Sequence, residues 1–191
     1  SNKIELAINV VREDYLIELD NNDWRNENDI TKFKEICEEC YQNITPYIVE
    51  LALKNIKNNI PVFIVAKDIN HQNNIKLLLQ QQGLTENYIF LIGQNNSLTY
   101  TSKDKTSIMA VITTPTYSAG YTLTKIHIMI TSIYFGNQST RTQLEGRLNR
   151  IGQEHDIKIY TLHTGILSYI FKRYENARSI AEVLKDFAKI V

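Results

Sequence analysis

Four continuous apolar runs of strand length, separated by segments of helix length or by polar loops, constrain this chain more than any other feature. They are Pro61-Val-Phe-Ile-Val-Ala, Tyr88-Ile-Phe-Leu-Ile-Gly93, Ser107-Ile-Met-Ala-Val-Ile-Thr113 and Ile126-His-Ile-Met-Ile-Thr131, and Ile157-Lys-Ile-Tyr-Thr-Leu162 adds a fifth strand. A run that is apolar at successive positions needs cover on both faces, as a central parallel strand between two helical layers has. Residues 71–82, with Ile75, Leu78 and Leu79 on one side and Gly83 at the end, supply one helix, and residues 140–150 supply another. Strands alternating with helices predict an α/β chain: a doubly wound parallel sheet flanked by helices.

The flanks are less regular. Residues 4–11 and 14–19 read as short strands, the first equally as a helical turn, and a polar run around Trp24 leads to a helix over residues 31–41. Thr45 and Pro46 are expected as N-cap and first residue of a further helix that buries Ile48, Leu51, Ala52 and Ile56 and stops at Asn58-Asn59. Residues 166–178 and 180–190 carry helical spacing and predict a C-terminal helical hairpin.

Lys+Arg and Asp+Glu balance at 21 each, so any binding of nucleic acid must rest on local groups rather than a global basic excess. No stretch has the length and apolarity of a membrane helix, and residues 1–10 do not read as a signal peptide, so a soluble intracellular protein with no membrane partner is expected. Cys37 and Cys40 lack two further ligands at zinc spacing, and the four histidines are scattered, so no metal site is expected.

The chemistry concentrates in Gln143-Leu-Glu-Gly-Arg147-Leu-Asn-Arg150-Ile-Gly-Gln153. Gln143, Arg147 and Arg150 recur at i, i+4 and i+7, which puts an amide and two cations on one helix face. Guanidinium forks match phosphate oxygens and stay charged at any relevant pH. Gly146 inside a helix costs about 1 kcal/mol relative to Ala and so predicts close backbone approach there.

This stretch resembles motif VI of superfamily-two helicases, and Arg150-Ile-Gly-Gln153 is similar to its form in the chromatin-remodelling branch of DNA translocases. The resemblance implies a RecA-like second lobe over residues 44–165, with residues 1–43 as an N-terminal extension or interlobe connection and residues 166–191 as C-terminal helices. It implies that Arg150 is an arginine finger for the γ-phosphate, with Arg147 as its partner and Gln143 at the nucleotide cleft beside them. Residues 113–124 fall where the family has motif V. There Gly120 matches its glycine, Thr122 replaces the usual Asp or Asn, and Thr116-Tyr117-Ser118 replaces the glycine-rich triplet of the remodelling branch.

Gly120 and Thr122 are thereby expected at the nucleotide cleft, and Ser118 as a nucleic-acid contact or an ordinary loop hydroxyl. Asn137 matches an Asn of the remodelling branch. Residues 61–68 are similar to motif IV, which makes Lys67 a phosphate contact or a solvated lysine and puts Gly93 near the bound strand.

The sequence contains no Gly-x-x-x-x-Gly-Lys loop and no acidic box for magnesium, so ATP and Mg2+ are expected to bind mainly on a first RecA-like lobe. The Ser1-Asn2 start reads as a cloning remnant, and the chain as part of a larger protein or a lobe that works with a partner chain. The implied activity is that of a helicase or translocase on nucleic acid, DNA favoured over RNA. A RecA-like docking module without catalysis is the alternative.

Overall fold

The structure, a computed structural model, describes residues 4–10, 27–93, 107–117, 120–133 and 138–163. Six strands form one sheet: β1 (Ile4–Val10), β2 (Val62–Val65), β3 (Ile89–Leu91), β4 (Ala110–Thr113), β5 (Ile128–Thr131) and β6 (Ile157–His163). Their order is β1-β6-β5-β2-β4-β3, and every pairing is parallel. Three helices accompany them: α1 (Glu27–Lys57), α2 (Ile69–Gln81) and α3 (Gln138–Leu148).

Strands β2, β4 and β5 are buried at every residue, which is the burial their unbroken apolar runs demand. Alternate side chains feed two cores. Val62 and Ile64 of β2 pack with Ile44, Ile48 and Ala52 of α1 and with Ile75 and Leu79 of α2. Phe63 and Val65 face the other way, toward Leu144 and Leu148 of α3 and toward Tyr121 and Leu123 of the loop before β5. Helices on both faces of a parallel sheet make the RecA-like doubly wound α/β arrangement.

Two expectations change here. The helices predicted over residues 31–41 and from Thr45 onward are one helix of 31 residues with Pro46 inside it. Thr45 is therefore no N-cap: its hydroxyl, buried in α1, donates to the Tyr41 carbonyl at 2.7 Å. Pro46 removes one backbone donor, and the buried residues on either side, Tyr41, Ile44, Ile48 and Ala52, keep the helix whole. In addition, residues 4–10 pair along their whole length with β6, from Ile4 opposite Ile157 to Val10 opposite His163. The sheet thus takes a strand from the segment read as an extension, and α1 runs unbroken across residue 43.

Helix endings follow the sequence closely. Asn59 adopts φ 60° and closes α1, with Ile60 N–H donating to Asn55 O at 3.0 Å and Asn59 N–H to Ile56 O at 2.9 Å. Gly83, at φ 101°, closes α2 in the same way through Leu84 N–H to Leu79 O at 3.0 Å. The expected strand over residues 14–19, Trp24, Asn137 and the C-terminal hairpin lie outside the described residues. Among the described residues, no helix is long and apolar enough to cross a membrane.

Candidate functional site

Helix α3 ends at Leu148, so Arg147 stands in its last turn and Arg150 in the turn that follows. Arg147 donates from Nε to Gln143 O at 3.1 Å and from Nη1 to Tyr121 O at 3.1 Å, and its guanidinium lies 5.9 Å from the centre of the Tyr121 ring. Arg150 donates from Nε to Gly146 O at 2.8 Å and from Nη1 to Thr122 Oγ1 at 3.4 Å. Among the described residues no carboxylate pairs with either arginine. Burial and the neighbouring Arg150 charge both lower the Arg147 pKa from its ordinary value, against a smaller opposing pull from Tyr121. Two neighbouring guanidiniums that pair with no carboxylate among the described residues can take an anion between them.

The loop before β5 holds this pair from the other side. Leu123 N–H donates to Arg147 O at 2.8 Å, so the end of α3 and the loop are joined through the arginine's own backbone. Tyr121, which the sequence reading passed over, anchors the loop: it is buried edge-on against Phe63, and its hydroxyl donates to Tyr117 O at 2.6 Å. Burial pushes its phenol up to about 12, against opposing pulls from a hydrogen bond with Thr113 and the Arg147 charge, so it stays a neutral donor.

Gln153 proves to be structural. Its side chain is buried, with Nε2 donating to Ile126 O at 2.7 Å and to Leu148 O at 3.1 Å, while Oε1 accepts from His155 N–H at 3.1 Å. Gly152, at φ 103°, shapes the turn that delivers it, with the Thr124 side chain 3.8 Å from where a Cβ would stand. The Gly-Gln ending therefore fixes the arginine turn to the loop before β5.

The remaining expected residues divide. Gln143 lies exposed on α3, and Thr122 and Gly120 lie on the loop, Gly120 at φ 96°; the structure brings Thr122 and Gln143 to the arginines. Ser118 lies outside the described residues. Gly93 follows β3 at the far edge of the sheet. Gly146 departs from expectation, since a Cβ there would meet nothing within 4 Å, so no close approach within the described chain accounts for the glycine. His127 and His155, read as scattered, stack with ring centroids 4.4 Å apart and a 32° tilt; His127 Nδ1 is buried with no hydrogen-bond partner among the described residues. Among the described residues no three His, Cys, Asp or Glu side chains group to hold a metal.

Lys67 follows β2, where it is bonded to Glu38 of α1 and lies 3.3 Å from Asp68. Beside it, buried His71 accepts at Nδ1 from Lys67 N–H at 2.9 Å, which leaves the ring proton on Nε2, 2.9 Å from Thr45 Oγ1. Burial lowers the His71 pKa to about 4 from 6.5. The neutral ring is thus favoured by folding: its contribution is complete above about pH 6.5 and is lost as pH falls through about 4. The difference corresponds to about 3 kcal/mol. Urea denaturation between neutral pH and pH 4 should show a flatter stability profile for His71→Gln than for the parent; parallel profiles would remove His71 as the cause.

No family profile and no curated protein matches the chain. Among solved structures it is similar to the C-terminal part of the Fun30 ATPase domain, at 16% identity and TM-score 0.58 over 89% of this chain and 55% of that one. It is also similar to the DUF1998 helicase MrfA, solved bound to DNA, at 18% identity and TM-score 0.52 over 71% of this chain and 20% of that one. The chain thus spans about half of the first structure and a fifth of the second. Identity this low speaks for architecture alone: the chain has the RecA-like α/β fold that these two structures share.

Proposed function

We propose that this chain is the second motor lobe of an ATP-dependent nucleic-acid helicase or translocase. In this reading Arg150, with Arg147 beside it, acts as an arginine finger on ATP held by a first lobe. The observation that carries the proposal is the pair of guanidiniums with no carboxylate partner among the described residues, held by Tyr121 O and Thr122 Oγ1 on a RecA-like fold. Arg150 is exposed, and its bonds go to a neutral carbonyl and a neutral hydroxyl; a phosphate oxygen adds the attraction of opposite charge and a bidentate fit and would draw the guanidinium away.

Arg147 is the more firmly held of the two and positions the turn. Gln143 and Thr122 line the same cleft, and Gly120 shapes the loop that brings Thr122 there. ATP would arrive with Mg2+ bound mainly to the first lobe, since this chain has neither a phosphate loop nor, among its described residues, a metal-holding cluster. The loop after β4, with Ser118, and the ends of β2 and β3, with Lys67 and Gly93, would face the nucleic acid, DNA in preference to RNA. MrfA, of the same fold, was solved on DNA.

The chain alone is expected to show no ATP turnover, because it supplies only the half of the site that stabilises developing charge. Steady hydrolysis by highly purified chain, abolished by Arg150→Ala, would sink the two-lobe reading.

A further inference from the structure

The strand order places β2 between β5 and β4. From β2 the chain crosses over through α2 on one face toward β3, and from β5 through α3 on the other face toward β6. The direction of winding therefore reverses between β2 and β5, and the crevice outside the carboxyl ends of such strands is where doubly wound sheets take their ligands. Lys67 stands at that end of β2, immediately before α2, on a cavity of about 280 Å³ that Gln42, Asn70 and Asn74 also line.

Two carboxylates meet Lys67, and their duties differ. Asp68 caps α2 by accepting from His71 N–H at 2.8 Å. Glu38 has Lys67 as its one bonded partner among the described residues and is half exposed, while Lys67 rests 5.4 Å from the Tyr41 ring centre. An exposed ion pair contributes little to stability, so it yields readily to a competing anion. With His71 neutral, the charges of Lys67, Glu38 and Asp68 sum to minus one, which repels a polyanion while Glu38 is in place.

We infer that Glu38 acts as an internal stand-in for a nucleic-acid phosphate, occupying Lys67 until a backbone phosphodiester displaces it. The inference rests on the proposed nucleic-acid track and names its gate. Displacement leaves Lys67 with Asp68 alone and opens it to one phosphate, beside a cavity that Gln42, Asn70 and Asn74 also line.

The test is binding of a fluorescein-labelled DNA duplex to the full chain by anisotropy, titrated over a range of salt. Glu38→Gln should tighten binding roughly threefold to tenfold at low salt and steepen the salt slope by about one phosphate's worth. The gain should vanish in Glu38→Gln/Lys67→Met, and Glu35→Gln, one helical turn earlier, should not reproduce it. A gain that survives loss of Lys67, or that Glu35→Gln matches, makes the effect one of general charge and overturns the inference. DNA binding untouched by Glu38→Gln overturns it while leaving the track reading standing. No binding by either the parent or Glu38→Gln overturns both.

Discussion

Arg150→Ala, introduced into a protein that also carries the nucleotide-holding lobe, is expected to lower kcat for ATP hydrolysis by at least about a hundredfold while changing ATP affinity little. An arginine that meets charge developing on the transferred phosphoryl group acts on the transition state rather than on ground-state binding. Structural collapse is a poor rival explanation for such a loss, because Arg150 is exposed and its contacts are Gly146 O and Thr122 Oγ1. Arg147→Ala should also slow hydrolysis, with an added cost in stability from the lost bond to Tyr121 O. Single-turnover kinetics together with nucleotide titration separate the two effects. Hydrolysis by Arg150→Ala at close to the parent rate would require dropping the finger assignment.

Gln153→Leu is expected to destabilise the fold by about 3 kcal/mol, a large effect for a single substitution. The leucine, one bond shorter and apolar, removes the side chain's hydrogen bonding. Ile126 O and Leu148 O then lose a donor and His155 N–H loses an acceptor, at a buried position. Chemical denaturation measures the loss directly. A change of under about half a kcal/mol, the range of ordinary surface substitutions, would show that the staple holds little.

Gln153 also marks the limit of what the sequence could disclose. Its place behind the two arginines was legible, as were the strands β2, β4 and β5, because unbroken apolar runs force burial on both faces. Its work was not legible, since its partners at residues 126 and 148 are chosen by tertiary packing. The same holds for Lys67 and Glu38, which are 29 residues apart, and for His127 and His155, which meet only because β5 and β6 are neighbours. Pro46 misled in a specific way: a proline after a threonine reads as a helix start, and only the core on both sides of it reveals one continuous helix. The arginine pair was recognisable through its spacing, whereas Tyr121, which orients Arg147, gave no signal beyond being an aromatic in a polar loop.

The pairing of β1 with β6 bears on how the lobe meets other copies of itself. Seven consecutive residues of β6 have their outer backbone groups covered by β1. A lobe trimmed to begin at residue 44 would present that row of donors and acceptors bare, in the parallel geometry that another extended chain can join. The sheet's edge on that side is therefore β1 itself, a strand drawn from residues far in sequence from the sheet's central strands.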